Sequence, residues 1–315
     1  MRGRNNYYLN EKVIELARDN DIDYVGIAPV DRFRHAPPGH KPGDILPGAQ
    51  SVISLGVRVS QGPQLTQRLA TADLSDRRLR HISFSYRWFG YGLINQYFLD
   101  RTAALVTKLL EKEGQIALPI VASGVEDAKA LMATLSNRHA AVAAGLGEFG
   151  WNGLCLTPDV GPRARFCSII TTANLDPTPM YHGPKLCDVD RCKELGNGLP
   201  VCLKVCPIAA FNQKRTVEVV IGDRRFEYAW MNHDKCVIAG MGLHPRILGP
   251  EDNVIPSKVT FDTAVQLAAK RPPVYSLEGL VFGRGHFCGL CLLRCPVGSP
   301  KLVDDIMKGK EKLYS

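Results

Sequence analysis

Eight of the ten cysteines in this 315-residue chain fall between residues 187 and 295. They form two runs with one residue between them. The first is Cys187-x4-Cys192-x9-Cys202-x3-Cys206, the second is Cys288-x2-Cys291-x3-Cys295, and Cys236 stands alone. Each run ends in a cysteine directly before a proline, Pro207 or Pro296. Grouped thiolates are ligands for soft and borderline metals. Eight of them make two sets of four, enough for two cubane iron–sulfur clusters or two tetrathiolate zinc ions. Zinc places no demand on the residue after the last ligand, so the paired Cys-Pro endings favour iron and sulfide. A disulfide framework belongs to short chains in oxidising compartments. Residues 1–20 contain no apolar run of signal-peptide length and no adjacent arginine pair, so a cytoplasmic protein is expected. Cys155 and Cys167 lie outside both runs and read as small core residues.

The Cys-Pro endings resemble those of two-cluster bacterial ferredoxins, in which three cysteines of a run bind one cluster and the cysteine before proline binds the other. That resemblance implies a crossed ligand set. Cys187, Cys192 and Cys202 are completed by Cys295. Cys206, Cys288 and Cys291 lack a fourth thiol, and Cys236 is the only unassigned cysteine downstream of Cys206. Two 4Fe–4S clusters are the implied cofactors.

Length suggests two domains. The crowding of cysteines divides the chain into residues 1–178 and a cluster-bearing 179–315, with a hairpin region inserted at about 212–285. Hydrophobic residues make up 45% and charged residues 22%, ordinary for a globular chain. No segment approaches the ~20 apolar residues of a membrane span. The net charge of +8 suits an anionic partner, either RNA, an acidic electron donor or a phosphate-bearing cofactor.

Short strand patterns alternate with helical ones, which places the chain in the α/β (α+β) class. Helices are expected over Leu9–Asn20, Ile94–Glu113 and Val125–Ala144, and in shorter pieces after Pro207, near Phe261–Lys270 and over Lys301–Leu313. Tyr97, Leu99, Ala104, Leu105 and Leu109 are expected to face the core. Strands are expected at Tyr24–Ala28, Ser51–Val59, Ala117–Ala122, Leu154–Thr157 and Ala164–Thr172. A hairpin turns at Gly222-Asp223. Residues 60–90 show little apolar periodicity but many rings, ending in Phe84, Tyr86, Trp88, Phe89 and Tyr91. They read as a covering segment, packed by its own rings or lining a pocket. Gly145-Leu-Gly147-Glu-Phe-Gly150 is formally a GxGxxG, but a helix precedes it and strands follow. That is the reverse of the dinucleotide-binding order, so the glycines call for close backbone approach instead.

The string from Ala144 to Phe166, AGLGEFGWNGLCLTPDVGPRARF, resembles the core motif of cobalamin-dependent reductases, the reductive dehalogenases and the epoxyqueuosine reductases. The resemblance runs over about residues 10–300 and includes the isolated cysteine matched by Cys236. It implies a nitroreductase-like domain that holds base-off cobalamin beneath a ferredoxin-like domain with two clusters. It also implies corrin contacts from Gly145, Gly147, Gly150 and Asn152, with Gly161, Arg163 and Thr171 near the amide and nucleotide edge. No Asp-x-His-x-x-Gly motif is present to supply an axial histidine. Tyr97 matches a family tyrosine and is the candidate proton donor, since dehalogenases use a tyrosine in that role. Two departures stand out. The acid of the epoxyqueuosine reductases falls at Ala122, with Glu126 or Asp127 a turn later as possible substitutes. The first cysteine run is also longer than usual.

The resemblance implies an oxidoreductase that passes electrons from a low-potential ferredoxin or flavodoxin-like donor, through the clusters, to cobalamin for reductive cleavage of a small molecule. A tRNA-modifying enzyme of the epoxyqueuosine reductase type, and a non-catalytic electron carrier or corrinoid reductase, are the alternatives. The sequence leaves the substrate, proton donor, oligomeric state and physiological electron donor open.

Overall fold

In the computed structural model the described residues are 2–73, 76–123, 133–240 and 288–310, with short stretches at 260, 262–263, 266, 274–275 and 281–282. Four strands form the main sheet: β1 (Tyr24–Pro29), β2 (Ser51–Arg58), β3 (Ala117–Ile120) and β6 (Ala164–Thr171), in the order β1-β2-β6-β3, while β4 (Glu148–Phe149) and β5 (Cys155–Leu156) pair separately. Every pairing is antiparallel, with Ile27 opposite Ile53 and Ile53 opposite Ile169. The fold is a mixed α and β architecture around an antiparallel sheet.

Alternation along the strands builds a layer on each face. Ile53, Leu55, Val57, Cys167 and Ile169 pack with Val13 and Ala17 of helix Arg2–Arg18 and with Ala103, Val106 and Leu110 of helix Arg101–Lys112. Val52, Ala164, Phe166 and Ile170 pack on the opposite side against the alanine-rich helix Asn137–Ala143. Cys155 and Cys167 are fully or almost fully buried. Among the described residues no helix is long and apolar enough to cross a membrane.

The long helical stretch departs from expectation. The chain is already helical over Phe84–Arg87, and it winds in the wide form, with i→i+5 hydrogen bonding, over Trp88–Gly92 and Ile94–Asp100 before Arg101–Lys112. The wider winding changes which residues turn inward. Leu99, Thr102, Ala103, Val106 and Leu110 are buried, whereas Tyr97 is 57% exposed and Ala104 is also exposed. Residues 60–90 are not a covering loop, because Gln61–Ala72 and Arg77–Ile82 are helices. The buried residues of the first are Gln64, Gln67, Arg68, Ala70 and Thr71, so its inner face is polar.

The second cysteine run is built into this core. Leu292 and Leu293 pack with the sheet and the long helix, Gln67 Nε2 donates to the Cys288 carbonyl at 3.1 Å, and Arg68 bridges Asp304 at 2.6 Å. The hairpin forms as expected from β7 (Phe211–Ile221) and β8 (Arg224–Met231). No helix follows Pro207. Ala209 takes a left-handed φ of 47° and Phe211 opens β7. The Asn232 N–H bonds the Ala210 carbonyl at 2.8 Å, so strand pairing overrides the proline signal. The helix expected over Val125–Ala144 is present as Asn137–Ala143, residues 125–132 of it, with Glu126 and Asp127, lying outside the described residues, as does most of the one near Phe261–Lys270. The last helix spans Lys301–Met307.

Gly145 ends helix Asn137–Ala143 at φ 79°. The Leu146 N–H reaches the Ala141 carbonyl and the Gly145 N–H the Val142 carbonyl, at 3.0 and 3.1 Å, which is the Schellman closure. A Cβ at this position would lie 2.0 Å from the Pro179 carbonyl oxygen. Gly145→Ala is therefore expected to cost at least about 1–2 kcal/mol for the left-handed residue, plus the displacement of Pro179. Gly43→Ala, at an exposed site with nothing within 4 Å, is expected to be near neutral. Urea unfolding followed by tryptophan fluorescence measures both, and equal stabilities would contradict this account of the turn.

Candidate functional site

Asp188 begins the first thiol group. Its carboxylate accepts the Arg191 N–H at 3.1 Å and caps helix Val189–Leu195, which carries Cys192. The chain then turns through Asn197, at φ 54°, and Gly198 into the short helix Val201–Lys204, which carries Cys202. The long spacing of the first run is thus taken up by a helix and a turn. Cys295 arrives from the second run. Cys187, Cys192, Cys202 and Cys295 line one cavity together with Trp151 and Asn152. The backbone N–H groups of Trp151 and Val201 donate to Cys187 Sγ and Cys192 Sγ, both at 3.3 Å.

Cys206, Cys236, Cys288 and Cys291 form a second neighbourhood. Burial pushes the Cys288 thiol up to about 12, with the charges of Cys236 and Cys206 adding to the rise. Burial lifts Cys236 to about 11, and Cys206 adds again. Cys291 is raised well above the ordinary thiol range, first by burial and then by Cys236, Cys288, Cys202 and Cys206. The Ala210 N–H donates to Cys206 Sγ at 3.2 Å. N–H donors to sulfur are a means by which proteins set iron–sulfur potentials. Among the described residues no three His, Cys, Asp or Glu side chains are gathered tightly enough for a single metal ion. In the first group the thiols surround an open space instead. The donor set suits a polynuclear cluster in each group.

Arg163 holds the second run in place. Its side chain is fully buried. Its guanidinium donates to the carbonyls of Val297 at 2.8 Å, Leu293 at 2.9 Å and Cys295 at 2.5 Å, and at 3.3 Å to both the Val160 carbonyl and Ser299 Oγ. Burial pushes its pKa down to about 10, with Cys295 acting in the other direction. Arg163 therefore anchors the Cys295 turn, and its hydrogen bonds are spent there.

A second cavity lies beside β6. β3 pairs with β6 only from Ser168 to Thr171, whereas β2 accompanies β6 down to Ala164. The unpaired edge near Ala164 and Phe166 opens into a space of about 580 Å³, mouth included, which is also walled by Tyr91, Asn95, Arg138 and Leu292. Ala122, the position matched to the missing acid, lines it too. The two centres adjoin. Asn152 lines the first thiol cavity, its Nδ2 donates to the Cys291 carbonyl at 3.3 Å, and its Oδ1 accepts the N–H of Leu154, a wall residue of the second cavity.

The glycines stand behind these walls. Cβ atoms at Gly147 and Gly161 would lie 1.8 Å from the Leu156 carbonyl oxygen and 2.1 Å from that of Val297. At Gly150 a Cβ would touch Asn152 and Leu156 side chains at 3.0 Å. The chain's own atoms thus fill the space at these positions. Thr171 is buried and donates to the Ile116 carbonyl at 2.9 Å. From the same segment, Leu154, Cys155 and Pro162 reach the β6 cavity.

Tyr97 is not among the cavity's wall residues. It stacks edge-on with Phe98 and lies on the exposed side of its helix. Tyr91 does line the cavity, and its hydroxyl hydrogen-bonds Ser123 Oγ. The Arg165 guanidinium lies 4.7 Å from the Tyr91 ring centroid. The signal for Tyr91 was present in the run of rings from Phe84, but 3.6-residue periodicity could not choose among them across a widely wound helix.

No family model and no curated protein matches the chain. Solved structures do. A catabolic reductive dehalogenase aligns with 96% of this chain and 34% of its own, at a TM-score of 0.52 and 16% identity. A complex of such a dehalogenase with 3-bromo-4-hydroxybenzoic acid aligns over 73% and 29%, at 0.50 and 17%. An epoxyqueuosine reductase with an epoxyqueuosine-modified tRNA-Tyr stem loop aligns over 97% and 67%, at 0.47 and 17%. The chain spans about a third of the first dehalogenase's length, and it shares the dehalogenase fold.

If Cys295 belongs with Cys187, Cys192 and Cys202, then Cys295→Ser is expected to alter that cluster and spare the one held by Cys206, Cys236, Cys288 and Cys291. Serine is a harder, poorer ligand for cluster iron than thiolate. Arg163→Met is expected to damage the same cluster as Cys295→Ser, because it frees the turn that carries the ligand. Redox titration with EPR detection separates the two signals. Loss of one and the same signal in Cys295→Ser and Cys288→Ser would mean that each run binds its own cluster.

Proposed function

We propose that this chain is an oxidoreductase of the cobalamin-dependent reductase type, with two 4Fe–4S clusters feeding a base-off corrinoid in the cavity beside β6. Residues 1–178 would form the nitroreductase-like corrinoid domain. Residues 179–315 would form the ferredoxin-like domain, with the hairpin region at about 212–285 inserted. The observation that carries this reading is the contiguity of two four-thiol groups and a cavity, joined through Asn152.

A bound corrinoid would supply a metal centre able to deliver electrons to a carbon–halogen or carbon–oxygen bond. The chain's own residues do the rest. Asn152 and the leucines beside Cys291 fix the separation between the thiols and the cavity. Leu154, Phe166 and Leu292 keep much of the wall apolar and limit water. Tyr91 is the proton donor in this reading. Its hydroxyl is oriented by Ser123, and Arg165 offsets the charge left as the proton departs. Ala122 can supply no proton, and its N–H is bonded to Asp100 Oδ1 at 2.7 Å.

The unpaired Oδ1 of Asn95 and Nε of Arg165 in the same wall suit a ligand rich in polar side groups, as a corrinoid is. A small halogenated aromatic is the substrate class proposed. The electron donor would be a low-potential ferredoxin or flavodoxin-like protein, and the working compartment the cytoplasm.

Anaerobic reconstitution is expected to give about eight irons per chain, the content of two cubanes, and one cobalt from added cobalamin, with no nitrogen superhyperfine splitting in the cobalt EPR spectrum. Stoichiometric zinc in place of iron would overturn the cluster reading. Full iron with no cobalt uptake would leave an electron carrier. Tyr91→Phe is expected to keep both metals and lose about 10²-fold or more in the reduction of a brominated phenol, while Tyr97→Phe stays near wild type. Turnover of an epoxyqueuosine-modified stem loop in place of the phenol would reassign the substrate.

A further inference from the structure

Two guanidinium groups, from Arg138 and Arg165, stand in the wall of the β6 cavity. Neither takes part in an ion pair among the described residues, and no Asp or Glu is among the described wall residues. Each is held by neutral partners. Arg138 Nη1 donates to the Gly153 carbonyl at 2.8 Å, and its guanidinium lies 5.6 Å from the Tyr228 ring centroid. Arg165 Nη2 donates to the Tyr86 hydroxyl at 3.2 Å and the group lies over Tyr91. These contacts fix both cations in position without neutralising them.

The same wall holds unmatched polar atoms. Arg165 Nε is buried without an acceptor, and Asn95 Oδ1 is buried without a donor on a residue only 3% exposed. A buried polar atom left unpaired costs about 1–3 kcal/mol. Here the donor and the acceptor belong to two residues of one wall and do not satisfy each other. Asn137, in the same wall, has both ends engaged. It donates to the Val121 carbonyl at 2.9 Å and accepts from Ser168 Oγ at 2.8 Å. Within the described wall, the unpaired buried atoms are Asn95 Oδ1 and Arg165 Nε.

We infer that the β6 cavity is built for an anionic ligand group, a carboxylate or phosphate ester, held by Arg138 and Arg165 beside a hydroxyl or amide hydrogen donated to Asn95. Guanidinium forks match the geometry of both anions. The inference rests on the proposed function for the nature of the occupant. The anion then has two sources, a substrate acid or the nucleotide phosphate of the corrinoid.

Calorimetric titration of the anaerobic, iron-loaded protein distinguishes them. Cobalamin is compared with cobinamide, which lacks the nucleotide and its phosphate. 4-Hydroxybenzoate is compared with 4-hydroxybenzamide, its uncharged counterpart. A charge-assisted hydrogen bond corresponds to about 10- to 100-fold in affinity. If the phosphate is the anion, wild type binds cobalamin that much more tightly than cobinamide, and Arg138→Gln and Arg165→Gln remove the preference while cobinamide binding persists. If a substrate acid is the anion, the preference is for the benzoate over the amide. Arg165→Lys, which keeps the charge, restores part of it in either case.

Wild-type protein that shows neither preference overturns the inference, whatever the variants do, and so does a preference that both glutamine variants retain. Failure of the proposed function looks different: no corrinoid binds at all, while discrimination between benzoate and benzamide still tests the anion site.

Discussion

The buried guanidinium of Arg163 is the contact on which the site's geometry depends. A cation taken out of water is costly unless its hydrogen-bonding capacity is met, and removing the partners of a buried charge costs several kcal/mol. Arg163 meets the requirement at Nη1 and Nη2, though not at Nε, with backbone carbonyls from two distant segments, Val160 on its own turn and Leu293, Cys295 and Val297 on the second cysteine run. Carbonyls cannot swing away as side chains do, so the second run is fixed against the start of β6 to within a hydrogen bond's tolerance. Cys295 is thereby delivered to the thiols of the first run. Cys291, four residues earlier, is held against Asn152 at the base of the cavity. Glycines at 161 and 298 let the two turns close on each other, since a Cβ on either would meet the other's backbone at 2.1–2.4 Å.

What could be read from the sequence was what is local. The cysteine runs declare themselves by spacing and by the prolines that follow them. β1, β2, β6 and the hairpin show as apolar or alternating runs bounded by turn residues. Helix Gln61–Ala72 did not show, for a physical reason: its inner face carries Gln64, Gln67, Arg68 and Thr71, which bond to the Val59 carbonyl, to the Cys288 carbonyl, to Asp304 and to the helix itself, respectively. A helix that faces the backbone of another segment is polar where an apolar pattern is sought. The widely wound stretch from Trp88 to Asp100 failed a 3.6-residue template for a related reason. Its register placed Tyr97 on the surface and Tyr91 in the cavity, and nothing in the spacing of its apolar residues marks the change.

The glycine segment illustrates a subtler limit. Its composition demands close backbone approach, and the structure has that approach, to Pro179, Leu156 and Val297 of the chain itself. Sequence can state that a side chain is forbidden at a position without saying what occupies the space. The cavity is reached by residues between the glycines, Leu154, Cys155 and Pro162, which carry no pattern of their own. Asn152 is the residue whose type was informative. Its side chain has a donor and an acceptor, and it uses the first on the Cys291 carbonyl and the second on the Leu154 N–H, tying the thiol groups to the cavity wall.

The alanine at position 122 follows from the electrostatics of the same wall. A carboxylate there would share the cavity with Arg138 and Arg165, and nearby cations favour the ionised form. It would pair with them and hold its proton poorly at neutral pH, and it would cancel the positive potential that the cavity offers a ligand. With Ala122 in place, the chain still positions this segment through the Ala122 N–H and Asp100. Among the described residues the cations have no acidic partner, and the Tyr91 hydroxyl hydrogen-bonds Ser123 Oγ. Absence of the acid and presence of two guanidinium groups with no acidic partner among the described residues are thus one arrangement rather than two departures. A neutral phenol in the wall does not cancel the positive charge there, as a carboxylate would.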